Sequence, residues 1–362
     1  MGRLSLRDRL IRLIAADGPM TVEAYMRLCL HDPDHGYYAT RPRLGAGGDF
    51  ITAPMVSQMF GELIGLWSVE TWTAMGRPTP FRLIEMGPGD GTLMVDLLRA
   101  ARVVPEFRAA AELWLVEKSQ PLIERQRAAL ADWAPRWAGS LAEVPSGAPM
   151  ILIANELLDC LPARQFVRTE TGWAERRVGL DAEGALIWGL SPSPNGFQPP
   201  AGLADIAPGS LIEISPVLEA LGAEVGSRVA RDGGAALFID YGRDRPESGD
   251  TLQALIGHRK VDVLASAGEA DLTVHTDFPA FAAAARAAGA ATTSIVTQAK
   301  FLHALGIAQR AQSLAKSRPE HADTIRRQRD RLTGPDQMGT LFKAVCVHRT
   351  GLGVAWPSSL PP

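Results

Sequence analysis

Apolar runs of five or six residues, each ending on an acid or an amide, recur through the first half of this chain. Phe81-Arg82-Leu83-Ile84-Glu85, Glu112-Leu113-Trp114-Leu115-Val116-Glu117 and Met150-Ile151-Leu152-Ile153-Ala154, followed by Asn155-Glu156, are continuous enough to be strands buried on both faces. Helical periodicity returns between them, over roughly 56–74 and from Leu93 to Ala101. This alternation predicts an α/β fold with a doubly wound, mostly parallel sheet. Leu211–Ile214 is expected to resume that sheet, as is Ala235–Ile239 running into Asp240-Tyr241-Gly242. Helices are expected near 216–231, 276–289 and 308–331, and Thr340–Val347 suits a final antiparallel strand. Ahead of the sheet, Leu4, Leu6, Leu10, Leu13 and Ile14 at helical spacing, and the run TVEAYMRLCL over 21–30, predict a helical N-terminal cap. Mid-chain, Gln165–Val167, Trp173–Val178 and Ala185–Leu190 read as short antiparallel strands, and an exposed Pro-rich loop follows them. The expected division is an N-terminal segment over 1–75 and an α/β domain over 76–362, interrupted by an insertion at about 166–210.

Composition narrows the function. The chain has 362 residues, 46% of them hydrophobic, which is enough for one large core or two modest ones. A net charge of −3 provides no basic field for nucleic acid. The arginine-dense Arg326–Leu332 segment reads as a solvated helix face, and Trp67, Trp72, Trp133 and Trp137 read as helix-face core residues without an interleaved basic stripe. Cys29, Cys160 and Cys346 are scattered and odd in number, so no disulfide framework is expected and a reducing compartment is. His31 and His35 are spaced like a helical metal pair, but Pro33 forbids the helix and no third ligand is in view, so no metal is expected. No long apolar stretch or cleavage pattern opens the chain. A bacterial cytoplasmic protein without membrane insertion is the expectation.

The chemistry concentrates after the first strand, in Glu85-Met86-Gly87-Pro88-Gly89-Asp90-Gly91-Thr92. Glycines at alternate positions let backbone approach a ligand that a Cβ would exclude. A dinucleotide fold needs G-x-G-x-x-G to seat pyrophosphate. Here the third glycine falls one residue early, which disfavours a nicotinamide-dependent oxidoreductase. The E-x-G-x-G-x-G spacing resembles motif I of class I S-adenosylmethionine (SAM) methyltransferases. In a doubly wound sheet, ligands bind outside the carboxyl ends of the strands. Glu85, Glu117 and Asn155-Glu156 all stand there. Glu117 is placed to accept the two ribose hydroxyls of a cofactor, the alternative being a solvated acid at a strand end.

Further segments make the resemblance specific. Gly48-Asp49-Phe50-Ile51-Thr52-Ala53-Pro54, Ser57-Gln58-Met59-Phe60-Gly61-Glu62 and Ala154-Asn155-Glu156-Leu157-Leu158-Asp159-Cys160-Leu161-Pro162 with Gln165-Phe166 resemble blocks of the MidA family. So do Asp240-Tyr241-Gly242, Asp271–Phe278, Phe301-Leu302 with Gly306-Ile307, and Met338–Lys343. Met55 and Ala299 depart from the family's Glu and Gly, and Asp262–Gly268 is a loose version of an Asp-Pro-rich loop. The resemblance implies a Rossmann-like class I methyltransferase using SAM. It also implies a protein acceptor, namely an arginine on the quinone-site subunit of respiratory complex I, dimethylated as by the family's mitochondrial member. Asp49, Thr52, Glu85, Gly87, Gly89, Gly91, Glu117 and Asn155 would then serve the cofactor, with Asp49 and Thr52 in a segment covering it.

Methyl transfer to arginine needs carboxylates, because the guanidinium keeps its proton up to a pKa above about 12. Glu156 is expected to orient the acceptor, with Asp159 or Asp240 assisting. Asp159 would share a face with Glu156 if a helical turn followed Asn155; capping a helix is the other role open to it. His275 is a candidate proton relay, or else a backbone hydrogen-bonding residue beside an Asp277 helix cap. A small-metabolite methyltransferase and a SAM-binding assembly factor without turnover stay open, as does the oligomeric state.

Overall fold

A computed structural model describes residues 4–40 and 52–357. Its centre is a sheet whose strands are β1 (Phe81–Met86), β2 (Ala111–Val116), β3 (Arg136–Ala138), β4 (Met150–Asn155), β5 (Gly234–Arg243) and β6 (Phe342–His348). Their spatial order is β3-β2-β1-β4-β5-β6, with Ala291–Thr292 and Val296–Thr297 pairing with the outer side of β6. The first five are mutually parallel and β6 runs antiparallel to β5. All six residues of β1 and of β4 are buried, as their unbroken apolar runs require. Chain order reverses between β1 and β4, and the crevice at that switch point is where the strand-end acids converge.

Helices cover both faces. α1 (Gln58–Ala74) and α2 (Thr92–Ala101) pack on one face, sharing a core with Phe81, Leu83, Ile151, Ile153 and Leu237. α3 (Gln120–Ala129) connects β2 to β3. α4 (Pro216–Asp232) and α5 (Phe278–Ala287) pack on the other face against Ile84, Leu152 and Phe238. Because α1 belongs to this core, the boundary expected at residue 75 does not separate two structural units.

The insertion differs from the sequence reading in one important respect. Leu211–Ile214 does not rejoin the main sheet. It pairs antiparallel with Arg164–Thr169, which pairs in turn with Gly172–Leu180, and Leu186–Pro192 forms the far edge. The short run Leu211-Ile212-Glu213-Ile214, three apolar residues and one acid, is as compatible with this half-buried sheet as with the parallel one, and pattern alone does not decide. Met20–Thr21 adds to Gly172–Leu180, so the N-terminal helices Leu6–Asp17 and Val22–His31 pack against the insertion and share a core with Val178, Leu186 and Leu272. The Pro-rich loop is largely exposed, as expected, and is pinned where Phe197 stacks on Phe166 with ring centroids 4.0 Å apart. Arg318-Pro319 splits the helix expected over 308–331 into Ile307–Ser317 and Ala322–Thr333, since proline cannot continue the hydrogen-bond ladder. Trp137 lies on β3, not on a helix, whereas Trp67 and Trp72 are buried on α1 as expected. The three cysteines are free and buried. Among the described residues no helix is long and apolar enough to cross a membrane, and no cluster of three or more His, Cys, Asp or Glu could hold a metal.

Candidate active site

The turn after β1 takes left-handed backbone at all three glycines, with φ of 66° at Gly87, 55° at Gly89 and 89° at Gly91. A Cβ on Gly87 would also stand 3.0 Å from Leu157 Cδ1. Conformation requires glycine there, and the Leu157 side chain would have to shift to admit a Cβ. Asp90 Oδ1 accepts the Thr92 amide at 3.0 Å and so fastens the start of α2.

Glu85, one residue before the end of β1, is 3% exposed, and its Oε2 has no hydrogen-bond partner. Burial, with the Asp90 charge adding to it, pushes its carboxyl up to about 8. A buried acceptor without a donor is costly unless something else supplies one, and an ammonium would do so.

Glu117, just past β2, has one oxygen engaged and one nearly free. Oε1 accepts the amides of Lys118 and Ser119, both at 2.8 Å. Among the described residues Oε2 meets only Gln126 Nε2, at 3.5 Å. Desolvation raises its pKa, and the two amide hydrogen bonds oppose that. Gln126 was not singled out by the sequence. It is fully buried, donates to the Gly89 carbonyl at 2.7 Å and accepts from Trp137 Nε1 at 2.8 Å. A glutamine on a helix leaves no motif signature, which is why sequence reasoning missed it.

At the end of β4, Glu156 has φ +53°, a strained conformation for a residue with a side chain. Its main chain is locked by a 2.9 Å bond from its amide to the Ile239 carbonyl. Its Oε1 accepts the Ala53 amide at 2.8 Å and Asn155 Nδ2 at 3.0 Å. This brings Thr52, the residue before Ala53, to the strand ends; its hydroxyl caps nothing. Asp49 lies outside the described residues. The Oδ1 atom of Asn155 is buried without a partner. Burial raises the Glu156 carboxyl to about 7, Asp159 adding to the shift and the Ala53 and Asn155 hydrogen bonds opposing it.

No helical turn follows Asn155, so the expected i, i+3 pairing of Glu156 with Asp159 is not formed. The chain turns tightly at 157–161 because Asp240 holds it. Asp240 is wholly buried; its Oδ2 accepts the amides of Leu158 at 2.7 Å and Asp159 at 3.2 Å, and its Oδ1 accepts that of Tyr241 at 2.8 Å. With both oxygens committed to the backbone, Asp240 shapes the turn and is not placed to grip an acceptor, contrary to the assisting role expected of it. Asp159 is 7% exposed and lies beside the Tyr241 hydroxyl, and burial raises its carboxyl to about 6. Burial likewise drives Asp240 well above the ordinary range, with Asp159 and Glu156 adding to it. Asp271 joins from another strand and accepts from the hydroxyl of Tyr38, on the N-terminal cap, at 2.9 Å.

His275 is not joined to these acids. Its amide donates to Thr251 Oγ1 at 2.8 Å, and its ring stands edge-on to Tyr241 with centroids 5.7 Å apart. No hydrogen bond links the ring to Glu156, Asp159 or Asp240 among the described residues. Desolvation lowers its pKa, helped by Arg243 and Lys343. Asp277 caps α5 through the Ala280 amide at 3.0 Å. The capping role open to Asp277 is therefore formed, whereas no hydrogen bond from the His275 ring to a neighbouring backbone is seen among the described residues.

Residues 63–296 match the family described as "Putative S-adenosyl-L-methionine-dependent methyltransferase". The mitochondrial protein arginine methyltransferase NDUFAF7 of Danio rerio is 34% identical, over 96% of this chain and 87% of its own length. The Homo sapiens protein of that name is 34% identical, over 91% and 80%. A crystal structure from Burkholderia thailandensis bound to S-adenosyl-homocysteine superimposes with a TM-score of 0.85, at 29% identity, covering 98% of this chain and 94% of that one.

Proposed function

The chain belongs to this family of SAM-dependent methyltransferases, and from that premise we propose that it methylates an arginine of a protein acceptor. The cofactor, SAM, supplies a methyl group on a sulfonium that its positive charge already activates as a leaving group. The protein's own work is placement. Its residues fit such a cofactor: the unpaired oxygen of Glu85 suits an ammonium, the glycine turn admits close backbone, and the nearly free Oε2 of Glu117 suits a pair of hydroxyls.

The observation that carries the acceptor assignment is Glu156. Its backbone is strained and its Oε1 is occupied by Ala53 and Asn155, while no hydrogen bond engages Oε2 among the described residues and Arg331 acts on the carboxyl only through its charge. A carboxylate fixed through one oxygen can hold a guanidinium with the other and keep its charge away from the attacking nitrogen. With its carboxyl raised to about 7, Oε2 can also take the proton that the nitrogen releases. Asp159 adds negative potential, Asp240 holds the Asp159 backbone, and the Ile239 carbonyl holds that of Glu156.

A macromolecular acceptor is supported by the insertion, whose outer strand exposes Leu190 (58%) and Ile187 (40%). By family resemblance the acceptor is the quinone-site subunit of complex I; the scattered free cysteines support a reducing compartment, the bacterial cytoplasm. The test is Glu156→Gln. Turnover should be abolished while S-adenosyl-homocysteine affinity, read by calorimetry, stays within a few fold; undiminished turnover would remove the assignment. Wild-type protein that binds the nucleoside but never turns over would instead be an assembly factor.

A further inference from the structure

We propose that Gln126 is a positioning residue for the cofactor's ribose, locking the glycine turn and Glu117 into a single grip. The proposal rests on the assignment of Glu117 to the ribose hydroxyls. Three separate elements meet on this one side chain. Its Nε2 reaches the Gly89 carbonyl at 2.7 Å and Glu117 Oε2 at 3.5 Å, while its Oε1 accepts the Trp137 indole of β3 at 2.8 Å.

The orientation of the amide follows from chemistry. An indole N–H only donates, so the glutamine oxygen must face Trp137 and the NH2 must face the two acceptors. The side chain is fully buried, and the position of a Cβ on Gly91 lies 3.6 Å from Gln126 Cα, so α3 and the glycine turn are in direct contact. On Glu117, backbone amides already hold Oε1. Among the described residues the remaining hold on Oε2 is the 3.5 Å approach of Gln126, long enough to leave lone pairs for hydroxyl donors and close enough to fix where they point. Without Gln126 the Gly89 carbonyl loses its partner and Glu117 Oε2 is free to swing.

The experiment is calorimetric binding of S-adenosyl-homocysteine, and of its analogue lacking both ribose hydroxyls, to wild type, Gln126→Leu, Glu117→Gln and the double variant. Each single change should weaken S-adenosyl-homocysteine binding by about tenfold. The double variant should be little worse than either single one, because both disable the same grip. The analogue should bind Gln126→Leu and wild type alike to within a few fold. Additive losses, or an equal loss for the analogue, would mean that Gln126 only packs α3, and would overturn the proposal. Failure of wild type to bind S-adenosyl-homocysteine at all would refute the methyltransferase reading instead. If Gln126→Leu does not fold, Gln126→Glu carries the test. Its protonated carboxyl can donate to Gly89, so its affinity should fall as pH rises and the carboxyl ionises beside Glu117, against a wild-type reference. A profile parallel to wild type would again overturn the proposal.

Discussion

Glu85→Gln in the cofactor-free protein isolates the energetic consequence of a carboxyl buried without a donor. Burial moves this group from 4.5 to about 8, so the folded chain keeps a proton that the unfolded chain has released. The stability it contributes is fully present below 4.5 and is lost as pH climbs toward 8. Between 4.5 and 7 each pH unit carries about 1.36 kcal/mol, giving a loss on the order of 3 kcal/mol at pH 7. Glutamine fills the same space and does not titrate. The variant should therefore melt higher than wild type near neutrality, by on the order of 5 °C for a chain of this size, with the two curves converging at acid pH. Thermal melts across that range measure the difference directly. A second readout comes from the ligand. An ammonium placed against Oε2 draws the carboxyl back down, so S-adenosyl-homocysteine binding to wild type should release a proton, and its heat should vary with the buffer's ionisation enthalpy. Glu85→Gln should bind more weakly, with no such variation. Parallel melting profiles for the two proteins, together with a buffer-independent heat for wild type, would refute the reasoning.

Asp240→Asn leaves three backbone amides competing for one oxygen, and it should cost about 2–4 kcal/mol in chemical denaturation; a change below about 0.5 kcal/mol would contradict its role in shaping the turn. Gly87→Ala forces a side chain into φ 66° and against Leu157, so stability should fall by about 1–2 kcal/mol and S-adenosyl-homocysteine affinity should fall with it, as denaturation and calorimetry would report. Glu156 acts in its ionised form, so kcat/KM should rise as pH climbs through about 7 and level off above; a flat profile across that range would contradict it.

What could be read in advance was what local pattern determines. β1 and β4 are apolar runs too long and too even for a surface, and both are buried throughout. β2 buries only Leu113 and Leu115, so its apolar run overstates its burial; the glycine spacing carries the ligand class. Leu211–Ile214 was misplaced because four alternating-tolerant residues fit either sheet, and only pairing with Arg164–Thr169 settles which. The pairing of Glu156 with Asp159 failed for a related reason. It assumed a helix, whereas the conformation is dictated by Asp240, more than eighty residues away in sequence. Gln126 was invisible because its importance comes from three partners that the fold gathers, and nothing in its neighbours advertises them. His275 looked catalytic by type alone; its surroundings of Arg243, Lys343 and Tyr241 were not foreseeable from spacing.

The central claim is methyl transfer to a protein arginine through Glu156, and peptide mass mapping tests it most directly. The complex I quinone-site subunit would be isolated from cells with the gene, without it, and complemented by wild type or Glu156→Gln. Methylation of one arginine that disappears with the gene and returns with wild type alone is the predicted result. An arginine equally methylated in all four would contradict the account.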